Sequence, residues 1–136
     1  MSIVLVALAA SVASYDVRVD HDGRPVEAVY TARTAVKTRT IGAHTPNRMD
    51  GQRCRWTAQL IVERRVAGAT TRVAPPAGDQ KFSGSRAGAC TPDTAWIDRE
   101  VASRDGAIRT RLAQVAAGDR ATLLADLDAM RALASN

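Results

Sequence analysis

Basic side chains at alternate positions are the residues of this chain with the clearest capacity for chemistry. Two segments, 26–41 and 53–66, carry arginine and lysine at odd positions, whereas the even positions are mostly apolar or threonine. Guanidinium and ammonium groups attract carboxylates, phosphates and sulfates. If the odd positions of both segments share one face, six basic side chains oppose only two glutamates there: Arg33, Lys37, Arg39, Arg53, Arg55 and Arg65 against Glu27 and Glu63.

This basic face predicts a partner that is an anionic glycan, a lipid head group or an acidic protein. The alternative is a solvated sheet face that is kept charged to discourage edge-to-edge aggregation. Nucleic acid is disfavoured, because single-strand binders interleave aromatic and basic residues. Here Tyr15, Tyr30 and Trp56 follow the apolar pattern, away from the arginines.

The two cysteines, Cys54 and Cys90, have no CxxC spacing and do not resemble a zinc site. Cys54 lies on the apolar side of its segment, and Cys90 is its only partner within the chain. We therefore expect a disulfide, with the oxidising compartment that a disulfide needs. No metal or cofactor is predicted.

The sequence gives no support for catalysis. Both histidines lie in turn-like segments, His21 within Asp-His-Asp-Gly and His44 close to a proline. No GxSxG, HExxH or P-loop motif occurs. We predict a non-enzyme, with a small hydrolase as a minor alternative because a Ser-His-Asp triad assembles only in three dimensions.

The N-terminal residues 3–13 form an uncharged apolar run that is too short to span a bilayer. With its small residues at 11 and 13, it resembles a secretory signal peptide covering residues 1–13. No basic residue precedes the run, so a buried first strand is the alternative. Export, the predicted disulfide and an arginine-rich, alanine-rich composition together predict a periplasmic or secreted bacterial protein without a transmembrane span.

The remaining chain, 14–136, is predicted to be one domain with a strand half (15–85) and a helical half (91–134). Short strands are expected near 15–19, 70–73 and 81–83, beside the two long alternating segments. The formal charge of +5 belongs to the strand half, since residues 91–136 hold slightly more acidic than basic groups. Asp-Gly at 22–23 predicts a hairpin turn.

The period changes to helical after residue 91. Thr91-Pro92-Asp93 is typical of a helix start, and Gly118 followed by Asp119 predicts the end of a second helix and the start of a third. The predicted fold is α+β: a small antiparallel sheet covered on one face by two or three C-terminal helices and joined to them by one disulfide.

The predicted function is a non-catalytic secreted or periplasmic module that binds an anionic partner through the basic face. The alternative is a structural subunit of an envelope or surface assembly. That subunit would use the last helix, whose Asp126, Asp128 and Arg131 are expected to be solvated, or a sheet edge.

Overall fold

A computed structural model describes residues 7–8, 13–44, 46, 51–73 and 81–135. These residues form an α+β fold, as predicted, with six strands followed by two helices. In chain order the elements are β1 (Ala7–Leu8), β2 (Ala13–His21), β3 (Arg24–Ile41), β4 (Arg53–Val66), β5 (Ala69–Val73), β6 (Lys81–Ala87), α1 (Ala95–Ala102) and α2 (Asp105–Ala134).

The long strands β3 and β4 are the centre of one fully antiparallel sheet. β1 and β2 pair with the outer edge of β3, whereas β5 and β6 pair with the outer edge of β4. The predicted edge strands near 70–73 and 81–83 are therefore confirmed.

Tight turns close two of the hairpins. Asp22 and Gly23, between β2 and β3, both have positive φ, as do Ala67 and Gly68 between β4 and β5. Positive φ at both central residues matches the right-handed twist of the flanking strands, and Asp-Gly is the strongest sequence signal for such a turn. The sequence analysis predicted the first of these turns and made no prediction for the second.

The even positions of β4 face the helices and form the core. Trp56, Ala58, Leu60 and Val62 are buried there, as the period of two predicted. They pack in one cluster with apolar residues of both helices, including Ile97, Ile108, Val115 and Leu123. Burial of this face is the main term that stabilises the fold.

Cys54 and Cys90 form the predicted disulfide, with their Cα atoms 4.6 Å apart. It joins the buried side of β4 to the segment before α1. Gly84 on β6 lies directly opposite Trp56, and a Cβ atom at Gly84 would come within 2.6 Å of the indole Nε1. Only glycine allows the ring to lie so close to this neighbouring strand.

Two details of the helical prediction are wrong. α1 begins at Ala95, and Asp93 lies outside it, with Oδ1 accepting a hydrogen bond from the Ala95 N–H at 3.1 Å. α2 runs without a break through Gly118 and Asp119. Glycine inside a helix costs only about 1 kcal/mol, and the Asp119 carboxylate is used by the sheet and does not cap a new helix.

Most of the predicted signal peptide, residues 1–13, falls outside the described residues. Ala7 and Leu8 pair with Val36 and Ala35 of β3, so part of the predicted signal peptide lies on the edge of the sheet. The rest of residues 1–12, with most of the predicted cleavage site, lies outside the described residues. Neither of the two described helices is long and apolar enough to cross a membrane.

Candidate functional site: a basic groove on the open face of the sheet

The register between β3 and β4 places the odd positions of both strands on one face. Arg39 pairs with Arg55, Lys37 with Thr57 and Arg33 with Ile61. This face is opposite to the one that contacts the helices, and we call it the open face. The six predicted basic side chains all belong to it: Arg33, Lys37, Arg39, Arg53, Arg55 and Arg65.

These six side chains do not form one continuous patch. Arg33 Nη2 lies 2.5 Å from Glu63 Oε1, so its charge is paired. Arg65 lies towards the opposite end of β4, where it pairs with Val29 of β3 and Thr70 of β5. Arg53 donates to Ser85 Oγ at 3.2 Å, which directs its guanidinium towards β6. Three of the six therefore remain as a cluster: Lys37, Arg39 and Arg55.

A groove of about 640 Å³ crosses the open face at this cluster. Its charged lining is Lys37, Arg39, Arg55 and Lys81, and we call this the basic groove. Lys81 comes from β6, whose register places it opposite Gln59 of β4. Uncharged residues complete the lining: Thr38, Ile41 and Thr57.

Lys81 was missed because the sequence does not fix its register. The run after the Pro75-Pro76 pair predicted a short strand, but nothing in it indicates which residue of β4 lies opposite Lys81 or which face it joins. Alternation within one strand is readable from sequence, whereas pairing between strands separated by a long connection is not.

Nothing within the described residues neutralises the basic groove. All four of its charged side chains are exposed. No acidic residue lines the groove, and none of the ion pairs within residues 13–44, 51–73 and 81–135 involves them. Like charges directly opposite each other across two strands are destabilising, so Arg39 and Arg55 repel one another when the groove is empty. A bound anion would remove that repulsion.

The face towards α2 holds a second charged cluster, which is buried and fully paired. Arg64 Nη1 donates to Asp119 Oδ2 at 2.5 Å, and Tyr30 Oη donates to the same oxygen at 2.7 Å. Arg64 Nη2 donates to Asp126. The Arg64 and Asp119 side chains are only 3% and 7% exposed, respectively, whereas Asp126 is 42% exposed.

The pKa shifts in this cluster follow from burial and charge. Burial first, and then the hydrogen bond to Asp119, raises the pKa of Tyr30 to about 12. Burial alone would lower the pKa of Arg64, but the hydrogen bonds and charges of Asp119 and Asp126 outweigh it and raise that pKa above its ordinary value. Both groups keep their protons at neutral pH, so the cluster holds one cation between two carboxylates.

A smaller cavity of about 280 Å³ lies beside this cluster, between β5 and α2. Three residues of its lining already form hydrogen bonds, because Arg64 donates to both Asp119 and Asp126. Since these groups are occupied by one another, we interpret the cluster as a structural link between sheet and helix. Arg64 was not predicted as a site residue, because it is a charged residue at an even position of β4, where the pattern is otherwise apolar.

His21 belongs to a third cluster, at the turn between β2 and β3. Its Nε2 lies 2.7 Å from Asp128 Oδ1 of α2, and its Nδ1 lies 3.5 Å from Asp22 Oδ2. Arg131 also pairs with Asp22. Asp128 and Arg131 are solvated as predicted, with side chains 71% and 67% exposed, and Asp126 is 42% exposed. The prediction did not include their partners outside α2, which are His21, Asp22 and Arg64.

His21 therefore connects the β2–β3 hairpin to α2 through its contact with Asp128. His44, by contrast, lies in the connection after β3 and is exposed. The two histidines are thus at separate places in the fold, and the recorded partners of His21 are carboxylates.

Comparison of the chain with protein-family models, with curated proteins and with solved structures found no match.

Proposed function

We propose that this protein is a non-catalytic module that binds an anionic partner through the basic groove. The observation that carries the proposal is four exposed basic side chains lining one groove that no acidic side chain among the described residues lines. Such a surface concentrates polyanions and steers their approach. The candidate partners are an anionic glycan, a lipid head group or an acidic protein.

The structure of the sheet also favours binding over a purely solvated role. On the same open face, Arg33 is paired with Glu63, and Arg18 of β2 is paired with Glu27 of β3. A sheet face that needed only solubility would be served by such pairs along its whole length. Lys37, Arg39 and Arg55 instead lie together, and the part of the groove lining that the structure describes holds no acidic side chain.

The test is retention on immobilised heparin, used as a general polyanion, with charge-reversal variants. We expect the full chain to be retained at low salt and to elute as salt rises, because exposed charges are screened. Arg39→Glu with Arg55→Glu should abolish retention, with an unchanged circular dichroism spectrum.

Arg65→Glu is the matched control, since Arg65 is exposed on the same strand and face but lies outside the groove. It is compared with Arg39→Glu and Arg55→Glu made singly, each of which makes the same charge change. Equal loss of retention in the Arg65 variant would show that net charge, and not the groove, determines binding.

We propose further that the protein is exported to the periplasm or secreted. The Cys54–Cys90 disulfide supports this, because cytosolic thiols are normally kept reduced. The intact mass of protein from its native source, before and after reduction and alkylation, tests both steps. A mass equal to residues 14–136 less two hydrogens is expected, and a full-length chain with two free thiols would contradict export.

An assembly role through the last helix is the second candidate. Leu133 is 76% exposed and Met130 is 37% exposed near the end of α2. Exposed large apolar residues of this kind can mark a protein interface. An oligomer that persists in high salt and dissociates on Leu133→Glu would favour this role, whereas a monomer would favour the binding module.

A further inference from the structure

Along β4, the four charges of the basic groove fall into two groups. One is an arginine pair at a single level, and the other is a lysine pair whose Cα atoms, on the two strands that flank β4, lie about 12 Å apart. Arg39 and Arg55 lie directly opposite each other, so they act as one double cation at the level of residue 55 on β4. Lys37 lies opposite Thr57, and Lys81 lies opposite Gln59. These lysines therefore flank β4 from its two sides at the levels of residues 57 and 59.

Strand geometry gives the distance between the two pairs. The midpoint of the lysine pair lies three residues along β4 from the arginine pair. With a rise of about 3.4 Å per residue, the two centres are about 10 Å apart. A single small anion cannot occupy both, whereas a ligand with two acidic groups at this spacing can.

Hydroxyl groups occupy the stretch between the two charged centres. Thr57 lines the groove, and Ser83 of β6 lies directly opposite it on the same face. Hydroxyls donate and accept hydrogen bonds and so match the hydroxyls of a sugar ring. The described part of the groove lining contains no aromatic ring, so it offers no stacking surface for a nucleobase.

We infer that the basic groove binds a linear glycan with acidic groups on alternate sugars. One acidic group would lie between Arg39 and Arg55, where two guanidinium groups can each donate paired hydrogen bonds to it. The next acidic group would lie between Lys37 and Lys81, and the intervening uncharged sugar would lie over Thr57. This inference rests on the proposed function and specifies the ligand class for the same groove.

The test compares two saccharides of equal charge on the full oxidised chain. Hyaluronan tetrasaccharide carries two carboxylates on alternate sugars, and digalacturonate carries two on adjacent sugars. Calorimetry at low salt should show the tetrasaccharide binding about tenfold more tightly or better, because its second contact is intramolecular. Glucuronate, with one carboxylate, should bind more weakly than either.

Variants of each pair test the two contacts separately. Arg39→Ala with Arg55→Ala, and Lys37→Ala with Lys81→Ala, should each remove the preference for the tetrasaccharide. Arg65→Ala should retain the preference. Loss of the preference in only one double variant would overturn the two-centre arrangement.

Failure of this inference is distinguishable from failure of the proposed function. Equal affinity for hyaluronan tetrasaccharide and digalacturonate would overturn the inferred spacing of the two acidic groups. Retention on heparin that depends on the groove residues would still support anion binding. Binding to vesicles of anionic lipid without binding to either saccharide overturns the glycan assignment. Absence of binding to all of these and to heparin overturns both proposals.

Discussion

Replacing Arg64 by methionine tests the buried cluster that links the sheet to α2. Arg64→Met keeps much of the side-chain volume but leaves the Asp119 carboxylate, 7% exposed, without its cation. Breaking a buried ion pair from one side costs about 3–5 kcal/mol, because an uncompensated charge remains in the interior. Asp126 adds little to this cost, since it is 42% exposed and can be hydrated.

A loss of this size is a large part of the stability of any small domain, which is about 5–15 kcal/mol. We therefore expect Arg64→Met to lower the urea midpoint strongly and the Tm by about 10–20 °C. The buried Trp56 and Trp96 provide the fluorescence signal for the unfolding curve. The slope of the transition reports whether unfolding stays two-state.

Arg65→Met is the matched control, because the neighbouring arginine is exposed and faces away from the helices. It should change the free energy of unfolding by less than about 0.5 kcal/mol. The triple variant Tyr30→Phe, Arg64→Met and Asp119→Leu replaces the whole buried cluster by apolar groups and should recover most of the loss. A loss below about 1 kcal/mol in Arg64→Met, or no recovery in the triple variant, would refute this account.

Three further predictions concern Tyr30 of the same cluster, the disulfide and the glycine opposite Trp56. The pKa of Tyr30 is raised from 10.0 to about 12, so the folded state holds this proton more tightly than the unfolded state. The free energy of unfolding should therefore fall by about 2–3 kcal/mol as pH rises from 10 to 12. Denaturation curves over this range check it, and an equally steep decline in Tyr30→Phe would contradict it. The Cys54–Cys90 bridge spans 36 residues, and its reduction should lower the free energy of unfolding by up to about 4 kcal/mol. In a variant with both cysteines replaced by alanine, the free energy of unfolding should not change when reductant is added. Gly84→Ala forces a Cβ atom against the Trp56 ring and should lower the free energy of unfolding by about 1–3 kcal/mol, measured by thermal denaturation. Gly106→Ala is the control, because its Cβ position in the first turn of α2 is open space, and it should be neutral or stabilising.

The sheet was the most predictable part of the fold because its signal is local. Alternation in 53–66 assigned the buried face of β4, and that face then placed Cys54 towards its disulfide partner. Asp22-Gly23 specified its turn for the same reason, since the positive φ of a tight hairpin selects these residue types. Each of these predictions needed only a few neighbouring residues.

The charged clusters depend on contacts that span most of the chain, and these were missed. Asp119 has the appearance of a helix cap beside Gly118, yet its partners Tyr30 and Arg64 lie 89 and 55 positions away. Without knowledge of how α2 crosses the sheet, a capping role is the simplest interpretation of an aspartate that follows a glycine. Asp119 instead pairs with the buried Arg64, which is a stronger interaction than capping a helix.

In the part of the chain that the structure describes, buried charged side chains are paired on the covered face of the sheet, and charged side chains are unpaired in the basic groove on its open face. Substitutions on the two faces should therefore affect stability and binding separately. Arg64, on the covered face, is held between two carboxylates, so its loss should destabilise the fold by about 3–5 kcal/mol. Arg39 and Arg55, on the open face, repel one another, and neither forms an ion pair with a carboxylate among the described residues. Replacing either of them relieves repulsion and should leave the fold intact or slightly more stable. A groove variant that loses its anion and keeps its Tm would therefore show that these arginines are retained for binding, whereas a variant that loses both would show that the groove is part of the scaffold.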